Sequence, residues 1–159
     1  MNQQYIKIDL PLNGVEYDYT IVTPVATLID VPMYSKTPFE WYLELDLTQI
    51  DCVAGTYCIR KIDRNTKLVE NIIIEIVFRG TEEEKSKYAD RYIRLVSRCD
   101  EKFAQDNMEK LLKMKSAALN SDTKTFNKYM KSMEIKDPQI EIILNTMRLD
   151  KTFNMSFRQ

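Results

Sequence analysis

The chain reads as α+β: a mainly antiparallel sheet of about five strands in the first half, a helical second half and an extended C-terminal arm. Three observations predict this. Apolar residues recur at every second position over much of residues 1–80, at every third or fourth between 81 and 149, and again at every second position after Leu149. The implied units are an antiparallel β domain over 1–80, a helical region packed on or beside it over 81–149, and an arm over 150–159.

The first strand is expected over Tyr5–Leu10, where Ile6, Ile8 and Leu10 alternate with Lys7 and Asp9. Pro11 and Asn13-Gly14 then supply turn chemistry. Val15, Tyr17, Tyr19 and Ile21 line one face of a second strand, so the first two strands read as a hairpin. Pro24, Pro32 and Pro38 punctuate an irregular stretch with an edge strand near Thr27–Val31, because proline cannot donate to a ladder. In "FEWYLELDL", Phe39, Trp41, Leu43, Leu45 and Leu47 share one face, with Glu40, Tyr42, Glu44 and Asp46 on the other. Thr56–Ile62 and Leu68–Phe78 form a further pair around "DRNTK". Ile73 and Val77 make both faces of the last strand apolar, which predicts a central or doubly covered position.

Beyond Gly80 the period lengthens. Thr81 and Glu84 make a capping box, and the acids of "TEEE" suit the positive end of a helix. Tyr88, Tyr92, Leu95, Cys99 and Phe103 form its apolar stripe. Asp106 and Glu109 offer a second capping box, so the pattern admits one helix to Leu119 or two kinked near Asp106. "NSD" at 120–122 ends that segment. Phe126, Tyr129, Met130 and Met133 mark the next helix. Asp137-Pro138 opens the last one, whose stripe is Ile140, Ile143, Leu144 and Met147.

The sequence excludes much chemistry. Histidine is absent, which removes the usual general base and the usual metal ligand. Three glycines, Gly14, Gly55 and Gly80, cannot build a phosphate-cradling loop. Cys52, Cys58 and Cys99 show no CxxC spacing, which suggests reduced thiols in the cytoplasm. No signal peptide or membrane helix is expected, and no cofactor or metal. Glu16, Asp18, Glu40, Glu44 and Asp46 share the outward phase of their strands. Such carboxylates suit a hard cation, yet they equally describe an ordinary solvated sheet face.

What remains are surfaces. Residues 1–80 hold seven Lys and Arg against eleven Asp and Glu, whereas 81–159 hold sixteen against thirteen. Lys87, Arg91, Arg94, Arg98 and Lys102 recur at helical spacing as a basic stripe suited to an acidic protein surface or to phosphates. Asp90 stands four residues before Arg94 and is placed to pair with it. In the arm, Phe153, Met155 and Phe157 form an apolar comb that would add to its own sheet or to a neighbour's.

The expected function is a non-catalytic subunit of a larger assembly, joined to other protein subunits as a homo-oligomer or a hetero-assembly. Its most specific form sets the acidic face (Glu40, Glu44, Asp46) of one copy against the basic stripe of the next, head to tail. An Ile-, Lys- and Asn-rich composition suits a bacteriophage ring or connector component, in the producing cell or the virion. The alternatives are a small regulatory or inhibitory binding module and a nucleic-acid-binding accessory protein.

Overall fold

The computed structural model describes residues 5–10, 17–25, 28–30, 33–37, 40–46 and 52–154, with side-chain surroundings at 17–25 and 52–153. Over these residues the fold is α+β, strands first and helices second. Instead of one sheet of about five strands there are seven strands: β1 (Tyr5–Leu10), β2 (Tyr17–Val22), β3 (Leu28–Asp30), β4 (Met33–Thr37), β5 (Glu40–Asp46), β6 (Gly55–Asp63) and β7 (Val69–Ile76). They divide into two antiparallel sheets, ordered β1-β5-β4 and β3-β2-β6-β7.

The expected β1–β2 hairpin does not form. β1 pairs with β5, where Ile6 faces Leu45, Ile8 faces Leu43 and Leu10 faces Trp41. β5 offers an apolar position opposite each apolar position of β1, and Lys7 falls opposite Glu44. The turn chemistry at Pro11 to Gly14 permits a reversal without choosing the partner. β2 instead lies between β3 and β6, with Ile21 opposite both Ile29 and Ile59. Among the described residues β3 is an edge strand, as the flanking prolines predict.

The β6–β7 hairpin matches the pattern read around "DRNTK". Asp63 Oδ1 accepts from the backbone N–H groups of Asn65 (2.8 Å) and Thr66 (3.1 Å), and Lys67 takes a positive φ of 65°. Those two donors hold the Asp63 carboxyl below its ordinary range. Among the described residues, however, β7 is not central: it ends its sheet, and Ile73 is 61% exposed.

Five helices follow: α1 (Glu82–Cys99), α2 (Glu101–Asp106), α3 (Met108–Leu119), α4 (Thr123–Ser132) and α5 (Pro138–Leu149). The capping box at α1 forms as read: Thr81 Oγ1 accepts from Glu84 N (3.2 Å), and Thr81 N donates to Glu84 Oε1 (3.1 Å). The segment to Leu119 breaks twice. Asp100 closes α1 in an extended conformation and caps α2 through Phe103 N, while Asn107 separates α2 from α3 without a side-chain cap. The box expected from Asp106 and Glu109 is therefore absent. Asp137 caps α5 through Gln139 N with Pro138 behind it, as read.

One buried cluster runs from Ile21, Tyr57 and Ile59 on the sheet through Tyr88 and Tyr92 to Phe126, Ile140 and Ile143. Met114, Met133 and Met147 lie within it, as filler between helices. Gly55 opens β6 at φ 140°, and a Cβ there would stand 2.8 Å from Pro24 Cβ. Gly55→Ala should therefore cost about 1–3 kcal/mol, since both the backbone and the neighbouring ring oppose the methyl. Thr81→Ala should cost about 1 kcal/mol through the lost cap. Urea unfolding checks both, and an unchanged midpoint would contradict the corresponding contact.

Candidate protein interface

The unusual surface lies along β7. An eight-residue strand, Val-Glu-Asn-Ile-Ile-Ile-Glu-Ile, pairs only with β6 among the described residues. Strand alternation turns Ile72, Ile74 and Ile76 toward the core cluster and leaves Val69, Asn71, Ile73 and Glu75 outward. Val69 is 54% exposed and Ile73 61%; Leu68, just before the strand, is 72% exposed. Natural edge strands are blunted by proline, charged side chains, a bulge or shortness, and the charges of β7 are Glu70 and Glu75. β7 has no proline or lysine, and its register with β6 runs unbroken from Val69 to Ile76.

The far end of β7 opens into a cleft of about 510 Å³, walled by Glu75, Ile76 and Val77, by Gly55 and Thr56 of β6, and by Thr23 and Pro24 beyond β2. Thr146, Leu149, Asp150 and Lys151 close it from the helical side. Lys151 Nζ meets Glu75 Oε1 at 2.8 Å across this cleft, and Leu149 is 67% exposed beside it.

Asp150 fixes that wall. Its Oδ2 accepts from the hydroxyls of Tyr88 and Tyr92, each at 2.5 Å, and its Oδ1 accepts from Thr152 N at 2.8 Å. Tyr88 Oη in turn accepts from Ala54 N at 2.5 Å, so the cluster reaches from the end of α5 through α1 to the start of β6. Burial raises the Asp150 carboxyl above its ordinary range, against the lowering effect of its donors. Burial, together with the neighbouring acid, likewise keeps both phenols well above theirs. Every polar group named here has a partner, the condition for burying it.

The basic stripe is partly dismantled. Arg91 is half-buried; it donates to Cys52 O at 2.5 Å and lies 5.4 Å from the ring centres of both Phe78 and Tyr88. It serves the fold because its guanidinium satisfies a loop carbonyl while covering two aromatic faces. Lys87, Arg94 and Arg98 are exposed on α1, and exposed Lys102 lies on α2 beyond the break at Asp100. Asp90 does not answer Arg94 but pairs with Lys115 of α3 at 2.7 Å. Glu40, Glu44 and Asp46 lie on the central strand of the β1-β5-β4 sheet, opposite Thr37, Lys7 and Tyr5 respectively. Their side chains fall outside the described surroundings.

The arm also departs from its reading. Lys151–Asn154 is a 3₁₀ turn, and Phe153 is buried, 5.7 Å from the Tyr88 ring and 6.3 Å from that of Tyr92. Asp150 causes this: its carbonyl accepts from Phe153 N at 3.3 Å while its side chain holds Thr152 N, which winds the chain. Burying a phenyl ring between two aromatics gains more than displaying it on a strand. Met155 and Phe157 lie outside the described residues.

Sequence reasoning missed Asp150 and the β7 edge. A signal for the first existed: two tyrosines four residues apart on an apolar stripe need an acceptor for their hydroxyls. No family model, curated protein or solved structure matches the chain. Among the described residues no group of acidic or thiol side chains is arranged to hold a metal, and no helix is long and apolar enough to cross a membrane.

Two outcomes follow for the cluster and for Arg91. Asp150→Ala leaves two buried hydroxyls without an acceptor and should cost about 3 kcal/mol or more. Asp150→Asn keeps an acceptor but loses the titration. Because the folded pKa is raised, the parent's contribution is complete below the unfolded carboxyl value of about 4 and is lost as pH rises through the folded value. The asparagine variant should therefore gain on the parent across that rise, as read by unfolding at several pH values; a constant difference would contradict the assignment. Separately, Arg91→Glu should lower the thermal midpoint by several degrees, whereas Arg94→Glu should change the unfolding free energy by no more than about 0.5 kcal/mol.

Proposed function

We propose that the chain is a non-catalytic protein-interaction subunit of a larger assembly, and that it receives an extended segment of another chain along the open edge of β7. One observation carries this reading: among the described residues the outer edge of the eight-residue β7 pairs with no strand, and Val69 and Ile73 are exposed beside it. An unpaired row of N–H and C=O groups is matched by water or by another extended backbone, and apolar side chains at its margin favour the latter. Leu68 extends the apolar margin at one end of the strand, and the cleft with Leu149 extends it at the other.

The charge-paired, head-to-tail assembly has less support than strand addition, since Arg91 is spent within the fold and Lys102 belongs to a different helix. The same loss weakens the nucleic-acid reading. A bacteriophage ring or connector rests on composition alone. A small regulatory module would use the same edge with one-to-one stoichiometry, so mass separates the two classes.

Native mass spectrometry of the chain recovered with its natural partners tests the proposal. The parent should appear in species heavier than its own 18.8 kDa. Val69→Lys combined with Ile73→Lys, both exposed substitutions of the kind that blunts natural edges, should weaken association at least about tenfold while leaving the circular dichroism unchanged. Association that survives both lysines would contradict the proposal.

A further inference from the structure

We propose that the exposed face of α4 binds the phosphate backbone of duplex nucleic acid without reading its sequence, through Lys124, Lys128 and Lys131 with Lys113 of α3 beside them. Residues 108–132 hold six lysines, no arginine and two acids, Glu109 and Asp122, and α4 itself carries no acid. Lys124, Lys128 and Lys131 stand at spacings of four and three, on one side of the helix, and all three are exposed. Lys113 pairs with Glu109 at 3.4 Å and Lys115 with Asp90 at 2.7 Å, whereas among the described residues no carboxylate pairs with the three lysines of α4. Like charges at those spacings repel and weaken a helix. The row therefore opposes the helix that carries it, and a polyanion laid along it removes that opposition. The row is separate from the α1 stripe and from β7.

The side-chain chemistry selects among polyanions. Arginine's planar fork suits carboxylates and is favoured at protein interfaces, where lysine is depleted. A compact ammonium on a flexible stem meets a row of phosphates as a point charge. A row made only of lysine therefore favours a nucleic-acid backbone over an acidic protein surface. Single strands are held by open aromatic platforms on which their bases stack. α3 and α4 present none: Phe126 is buried, and Lys113 Nζ and Lys128 Nζ lie over the Tyr129 ring, 5.5 and 5.7 Å from its centre. Those contacts instead hold two ammoniums beside the row. From Lys124 to Lys131 the row runs about 10 Å at helical rise, a length over which a duplex offers about six phosphate charges. The chain's net charge of −1 leaves little overall repulsion to overcome.

Fluorescence anisotropy of a short labelled DNA duplex, titrated with the full chain at several salt concentrations, tests this. The parent should bind at low salt, and log K should fall with log salt at a slope of about −3 to −4, for three or four phosphates neutralised. Lys124→Gln, Lys128→Gln and Lys131→Gln combined should weaken binding at least about tenfold and flatten the slope to about −1. Circular dichroism and the thermal midpoint should stay unchanged, since all three positions are exposed. Lys87→Gln, Arg94→Gln and Arg98→Gln on α1 remove the same charge elsewhere and should leave binding within about twofold, because separated surface charges are screened. A duplex of different sequence should bind equally. No binding at low salt, or an equal loss in the two triple variants, would overturn the inference. So would tighter binding to the single strand or to poly-glutamate, the latter marking an acidic protein partner. None of these results bears on strand addition, which the lysine variants of β7 judge separately.

Discussion

A buried carboxylate at the end of the last helix holds the helical layer to the sheet. Asp150 collects two tyrosine hydroxyls and a backbone N–H, and Tyr88 passes the connection to Ala54 at the mouth of β6. The cost of burying the acid is offset only because all these groups are matched. Around this cluster the rings of Phe78, Tyr88, Tyr92 and Phe153 pack with centres 5.0–6.3 Å apart, and Arg91 covers two of them. Gln139 donates to Val25 O and Lys151 reaches Glu75, so α5 and the turn after it grip the sheet near that same end.

That attachment explains why the opposite stretch of β7 is bare. The helices meet the sheet through residues 23–25, 52–57 and 76–78, and Ile76 and Phe78 are fully committed to the core. Toward the hairpin turn the strand leaves this cover: Ile73, Val69 and Leu68 are all more than half exposed. The inner face stays usable there because Lys61, itself buried, lies over the Tyr17 ring at 4.1 Å and approaches Glu70 at 3.8 Å. The edge is thus kept extended by β6 while nothing among the described residues pairs with its other side. A strand so held presents its backbone with little further ordering, which lowers the cost of association.

Local signals were legible, and partners were not. The capping box at Thr81, the Asp137-Pro138 start and the β6–β7 turn all depend on residues within a few positions of one another, and each formed as its sequence implied. The pairing of β1 with β5 depends on matching combs some thirty residues apart, which turn chemistry at Asn13-Gly14 does not encode. β7 was misread because apolar side chains on both faces describe a covered strand and a sticky edge equally well. Phe153 was misread for a related reason: its period-two neighbours suggested a strand, but Asp150 winds the chain and the tyrosine pair supplies a better place for the ring. Arg91 fitted the stripe by spacing, and only its three-dimensional neighbours show it to be structural.

Residue-resolved amide hydrogen exchange across β7, followed as concentration is raised, tests the central claim most directly. The account predicts that in dilute solution alternate amides, those facing away from β6, exchange rapidly while their neighbours are protected. It predicts that this alternation disappears as chains associate, and that the Asp150 cluster amides, Ala54 and Thr152, are unaffected. Uniform protection at every dilution, or rapid alternate exchange that persists in the assembled protein, would contradict it.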